Sequence, residues 1–319
     1  MSVTADQTWV PRFHDMLLLT YQQEGSMLEK YLDPGMVHRN VSGAIDHFDR
    51  LGNVMANDVV SPFAPMQVLN PEHSRRACTL VSSDAAVLVS DENSLRAMIE
   101  PRNGYTRTIV YAIGRRADKH IIDGLLGSVQ VAAVAAGTGV ITYTSLALPS
   151  ARRKNIGGST AWALVDIIGA NELLSKSGVP QGLGERITLY SPGQVRDLMA
   201  ITQASSSDFT KNQIHDRGTI NGLVWEGFTW VEIPDVVSTD GTTVLGRMLP
   251  LGSAGAGARV VVHFHKSALG LAIGRPAGPP TIDVRVDLQS RPIQVRQAMM
   301  MAPCRVWEGG VVSNDVKEN

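Results

Sequence analysis

One segment limits what this chain can fold into more than any other, the run "NGYTRTIVYAIGRRADKHIIDGLLG" at 103–127. Ile109, Ile113, Ala117, Ile121 and Leu125 recur every four residues, and Val110, Ile122 and Leu126 widen the stripe. Arg107, Arg115, Asp118, Lys119 and Asp123 fall mostly off it. The spacing predicts an amphipathic helix over 105–126, a rod of roughly 30 Å and about twice the usual helix length.

The rest of the chain reads as shorter elements around that rod. Residues 13–31 are apolar at near-helical spacing, interrupted by Gly25 and stopped by Asp33-Pro34-Gly35, which suggests a short helix or an arm. Two β-prone runs, 77–81 and 85–89, flank Ser82-Ser83-Asp84 and read as an extended β-hairpin with too little apolar bulk for its own core. After the rod come a Gly-broken β-prone stretch ("VAAVAAGTGVITYTSLALPS") and a second amphipathic helix, with Ser159 as N-cap and Gly178 just past its end. A strand then leads to a third helix with Ser191 as N-cap and Pro192 at its first position. "GTINGLVWEGFTWVEIPD" and "ARVVVHFHKSALGLAIG" read as strong strands, and the tail alternates Ile282, Val284, Val286 and Leu288 against Asp283, Arg285, Asp287 and Gln289. The class expected is α+β.

Composition excludes more than it identifies. With 44% hydrophobic and 18% charged residues among 319, the chain can build a sizeable core, and it has no apolar run of the roughly 20 residues a spanning helix needs. A formal net charge of −1 gives no overall attraction to nucleic acid. The one basic cluster, Arg152-Arg153-Lys154, reads as a solvated surface. No secretory leader precedes the first elements, which points to the cytoplasm, where Cys78 and Cys304 are expected as free thiols.

Chemical motifs are sparse. His263 and His265 in "VVHFHKSAL" would project from one face of a strand, as two metal ligands would, but zinc needs three or four. His215, Asp216 and Asp235 are the further candidates, and the alternative is that both histidines are structural, with Lys266 near a polar edge. "GTGV" at Gly137 and "GSAGAGAR" at 252–259 lack the strand-loop-helix context of a phosphate cradle and read as turns. Cys304 would serve as a nucleophile only with a histidine base beside it, but after a Met-rich run and a proline it reads as a small buried residue, while Asp91-Glu92 and Asp235-Asp240 read as loop acids. No catalytic, cofactor or metal residue is assigned.

The order of elements carries a resemblance that no single motif does. The rod, with Gly114-Arg115-Arg116-Ala117-Asp118, is similar to the spine helix of tailed-bacteriophage major capsid proteins, whose fold is shared with encapsulins and the herpesvirus capsid floor. "LVSSDAAVLVSDENS" sits where that family has its extended loop. In 191–236 a helix after Ser-Pro, then Ser206-Ser207-Asp208-Phe209, Gly218-Thr219-Ile220, Gly227-Phe228 and Ile233-Pro234 give the nearest likeness. "VVHFHKSALGLAI" and the closing Gly310-Val311-Val312 complete it.

The resemblance implies an N-terminal arm (1–57), an extended β-hairpin loop (58–100), a peripheral domain with the spine helix (101–158), an axial domain (159–271), and returning peripheral strands with the C-terminus (272–319). It implies a virion shell subunit, made and assembled in the host cytoplasm, that self-assembles through pentamers and hexamers around double-stranded DNA, with no membrane. Its partners would be copies of itself, a portal, a separate scaffolding protein, since the N-terminal segment is too short to hold a fused one, and a cement or decoration protein. No lysine lies between Lys30 and Lys119, so the isopeptide crosslink that some members make from an extended-loop lysine is not expected. The alternatives are an encapsulin-like nanocompartment shell and a metal-dependent enzyme using His263 and His265.

Overall fold

The computed structural model describes residues 23–58, 61, 65, 66, 68–89, 102–134, 140–155, 161–199, 220–238, 242–253, 255–289 and 291–318. In it the expected rod is one unbroken helix, α1 (Arg102–Leu126). Its β-branched content is a poor source of intrinsic helicity, so the stripe must supply the stability by burial. Ile113, Ile121, Ile122 and Leu125 are indeed at most 2% exposed.

That stripe lies on a five-stranded sheet. The long strand β17 (Ile293–Arg305) pairs along one edge with β15 (Leu269–Arg275) and β16 (Thr281–Val284), and along the other with β4 (Val81–Val89). The short β1 (Val37–Arg39) runs parallel to β15. Strand alternation divides the sheet's side chains into two layers. Leu269, Leu271, Ile273, Met299 and Met301 join the α1 stripe, whereas Ala272, Ala302 and Cys304 face the opposite way.

On that opposite face sits the base of a four-stranded sheet, ordered β2 (Ile45–Leu51), β3 (His73–Thr79), β5 (Val129–Val134), β6 (Ile141–Leu146). Phe48, Cys78 and Val129 are its contribution to the shared layer. A Cβ on Gly270 would come within 2.6 Å of the Phe48 ring, so glycine is what lets the two sheets approach there. The hairpin expected over 77–89 is corrected by this pairing. Ser82, Ser83 and Asp84 are strand residues facing Met300, Met299 and Ala298, and β3 and β4 belong to different sheets. Their polar groups are matched at long range, Ser83 Oγ to His120 Nε2 at 2.9 Å and Asp84 to Arg296 at 3.1 Å. The hairpin instead joins β2 to β3, in register from Ile45↔Thr79 to Leu51↔His73.

The third layer is a seven-stranded sheet: β7 (Arg153–Lys154), β18 (Val311–Lys317), β14 (Gly255–His265), β8 (Arg186–Tyr190), β10 (Phe228–Glu232) and β9 (Val224–Trp225), with β13 (Leu251–Gly252) on β14. A two-stranded ribbon, β11 (Val236–Val237) and β12 (Val244–Gly246), lies beside it. One face of the large sheet (Ile187, Leu189, Val262, Phe264) continues the α1 core. The other (Tyr190, Phe228, Trp230, Val261) buries α2 (Leu164–Lys176) through Ile167, Ala170 and Leu174. The tail strands expected to return together therefore divide, β16 and β17 to the five-stranded sheet and β18 to this one.

Capping explains where α2 stops. Gly178 at φ +72° lets Val179 N–H reach Leu174 O and Gly178 N–H reach Ser175 O, the expected glycine termination. At the other end the N-cap is Ala163, whose N–H donates to Asp166 Oδ2 at 3.2 Å, and the expected cap Ser159 lies outside the described residues. Helix α3 (Pro192–Met199) begins at Pro192 as expected. Ser191 N–H donates to Gln194 Oε1 at 2.9 Å while its hydroxyl donates to Glu318. "GSAGAGAR" is not mainly a turn, since Gly255 onward is strand β14. No helix among the described residues is long and apolar enough to cross a membrane.

Candidate assembly site: the arm clamp and the hairpin base

Asp118 lies off the apolar stripe, yet it is fully buried. The reason is the arm. The Asp118 carboxylate accepts from Met27 N–H at 2.9 Å, Leu28 N–H at 3.0 Å, Ser26 Oγ–H at 2.6 Å and the Gln23 amide. Four residues earlier, Gly114 presses on the arm's backbone so closely that a Cβ would collide with Gly25. The Gly-Arg-Arg-Ala-Asp pattern is therefore a clamp: a bare patch that admits the arm and a carboxylate that satisfies its N–H groups. Leu28 and Leu32 follow into the core, and Asp33 Oδ1 accepts from Gly35 N–H at 3.0 Å in the expected stop. Gly114→Val is expected to lower unfolding free energy by about 1–3 kcal/mol, readable as a fall in the urea midpoint.

At the base of the hairpin, Glu308 receives two arginines, Arg50 Nη1 at 2.7 Å and Arg76 Nη2 at 2.8 Å, and Arg50 also stands over the Trp307 ring at 5.2 Å. Burial pushes the Arg76 guanidinium below its ordinary value, opposed by the Glu308 charge. Gly52 N–H donates to Glu72 O at 2.6 Å and closes the neck. Beyond it the described part of 52–72 is irregular and mostly exposed. Apolar side chains on this sheet and its neck, among them Ile45, Leu51, Met55, Val134, Ile141 and Tyr143, are 45–86% exposed.

The histidine pair does not gather a metal set. His263 is fully buried, with Nδ1 2.8 Å from Thr188 Oγ1 and its ring 5.0 Å from Phe228 and 6.4 Å from Trp162. His265 Nδ1 pairs with Ser267 Oγ at 2.7 Å, and Lys266 Nζ with Glu185 at 2.7 Å. Among the described residues no three His, Cys, Asp or Glu groups stand close enough to share a metal ion. Asp235 is engaged elsewhere, by Arg259 and by Met248 N–H at 3.0 Å. His215, Asp216, Asp240, Asp91, Glu92 and Gly137 lie outside the described residues.

Burial holds the His263 imidazole down at about 3, with Lys154 adding to the effect. The unfolded chain then binds a proton below about pH 6.5 that the folded chain refuses until about pH 3. Stability is present above that window and falls as pH drops through it. Wild type is expected to lose about 1.4 kcal/mol per pH unit more than His263→Gln between pH 6 and 4, measured by urea unfolding.

Other basic residues have structural duties that their sequence neighbourhood did not announce. The cluster Arg152-Arg153-Lys154 is only partly solvated: Arg152 donates to Leu173 O at 2.8 Å and to the Ser177 hydroxyl, at the end of α2, and Lys154 lies against Gly169. Arg186, with no exposure, donates to Pro180 O at 3.0 Å, Ser175 Oγ at 3.1 Å and Val179 O at 2.5 Å. Arg305, equally buried, donates to Leu125 O at 3.0 Å, Gly127 O at 2.6 Å and Leu146 O at 3.0 Å. Arg186 opens β8 and Arg305 closes β17, and at these strand ends each guanidinium turns to backbone carbonyls of neighbouring segments.

The sequence matches the family described as Phage capsid protein over residues 5–318. No curated protein matches it. Solved structures of similar fold include the capsid of the cyanophage P-SCSP1u, at 12% identity over 100% of this chain and 96% of that one, with a TM-score of 0.68. The capsid of Ralstonia phage GP4 gives 12%, 100%, 98% and 0.66, and a chain of Mycobacterium phage Che8 gives 17%, 96%, 97% and 0.63. Identities this low speak for the fold, and the family match spans nearly the whole chain; the protein belongs to the phage capsid protein family.

Proposed function

We propose that the chain is the major shell subunit of a tailed double-stranded DNA phage and acts by assembly, without chemical catalysis. The observation that carries this reading is the family match over 5–318 on a chain whose hairpin sheet leaves its apolar side chains uncovered. Exposed apolar side chains grouped along one sheet call for a partner surface. In a shell that partner is another copy, related by rotation about five- and six-fold axes.

In this reading α1 with β4, β16 and β17 is the peripheral domain. The seven-stranded sheet with α2 and α3 is the axial domain, whose loops meet at the axes. The β2–β3 hairpin reaches over a neighbour, and the arm held by Asp118 straps another. The hairpin, residues 45–79, contains no lysine, so adhesion is noncovalent or supplied by a cement protein. A separate scaffolding protein and a portal would guide closure in the host cytoplasm, and packaged DNA is held without sequence-specific contacts.

Expression alone and with the scaffolding gene of the same genome, followed by sedimentation, tests this. Rapidly sedimenting shells, lost when 53–71 is replaced by a short turn while the circular dichroism of the subunit is kept, are expected. A chain that stays monomeric or dimeric in both expressions would overturn the reading.

A further inference from the structure

We infer that Cys78 and Cys304 form an oxidation site, an intrachain disulfide that fastens the base of the hairpin sheet to the helix-bearing sheet. They are the chain's only two cysteines, far apart in sequence and on different sheets. Yet both are buried in one apolar layer with Phe48, Val129, Ala272 and Ala302. The Cys78 thiol donates to Asp46 O at 3.5 Å, and Cys304 lies in the same buried layer on β17, which packs directly against β3. Packing alone would be served by two small apolar residues; it does not require that both cysteines of the chain meet.

The neighbouring Cys304 side chain and burial push the Cys78 thiol well above its ordinary value, so Cys78 is not primed while the layer is closed. Reaction therefore needs a transient opening between β3 and β17, after which the closed layer shields the product from reductant. The chemistry balances with a small-molecule disulfide such as oxidised glutathione. Its S–S bond breaks, the Cys78–Cys304 bond forms, and the two protein thiol protons and two electrons leave on two glutathione thiols. A reducing compartment keeps the site open and an oxidising medium closes it. The bond lies within one chain, so this inference does not depend on shell formation.

The test is oxidation of the full-length folded chain with oxidised glutathione, alkylation in denaturant, and non-reducing peptide mapping. A Cys78–Cys304 peptide should be the main product. The non-reducing gel band should run faster, and the thermal midpoint should rise by roughly 5 °C, reversibly with reductant. Cys78→Ser and Cys304→Ser should each lose all three effects, and if either fails to fold, the peptide map of wild type still decides. Full alkylation of both thiols after oxidation, glutathione adducts on each, or chain-to-chain dimers as the main product would overturn the inference.

Discussion

Asp118→Ala is expected to release the arm from the spine helix and to lower unfolding free energy by about 4 kcal/mol. The removed carboxylate is the acceptor for Met27 N–H, Leu28 N–H and Ser26 Oγ–H, in a site with no exposure of the aspartate. Each buried donor left without an acceptor costs about 1–3 kcal/mol. Gln23 and Ser26, nearer the surface, can turn to water; the two backbone groups cannot. Hydrogen exchange would locate the effect, since the amides of Met27 and Leu28 should lose protection by orders of magnitude while those of β14 and β8 keep theirs. Asp118→Asn should recover about half the loss, because one acceptor oxygen remains and the new amide faces donors.

Arg305→Met is expected to cost about 3 kcal/mol and to loosen the end of α1. The guanidinium collects the carbonyls of Leu125, Gly127 and Leu146, joining the last turn of the helix to the end of β6. Methionine fills similar space but leaves the buried Leu125 carbonyl without a donor and releases the carbonyls of Gly127 and Leu146 at the rim of the site. Burial lowers the Arg305 guanidinium from its ordinary value, opposed by Glu308. Arg305→Lys should restore little, because an ammonium on a narrower stem cannot fork between three carbonyls. Thermal unfolding of the two variants beside wild type decides the matter: equal midpoints for Lys and Arg would refute the fork.

What was legible in the chain is what local pattern encodes. The α1 stripe predicts both the helix and its buried face, because side chains three and four positions apart on a helix share one environment. Gly178 and Pro192 mark helix ends through backbone conformation alone. The 77–89 region misled because Ser82-Ser83-Asp84 carries a turn signal, whereas its partners, His120 and Arg296, lie on elements far along the chain. The clamp was half legible. Gly114 and Asp118 stood out as a pattern, but Asp118 reads as a solvent residue until Met27 and Leu28 arrive from some 90 positions away. Likewise His263 and His265 share a strand face in either reading, and only the rings of Phe228 and Trp162 packed around His263 separate a core histidine from a ligand.

The proposed role of this fold is to tile a shell. Its most direct test is electron cryomicroscopy of particles formed when the chain is expressed with the scaffolding and portal genes of its own genome. Closed icosahedral shells are expected, in which α1 lies in the wall and each β2–β3 hairpin lies over an adjacent subunit with Ile45, Leu51 and Tyr143 covered. Particles built with those side chains still facing solvent, or a chain that remains a discrete monomer beside its own scaffold, would contradict it.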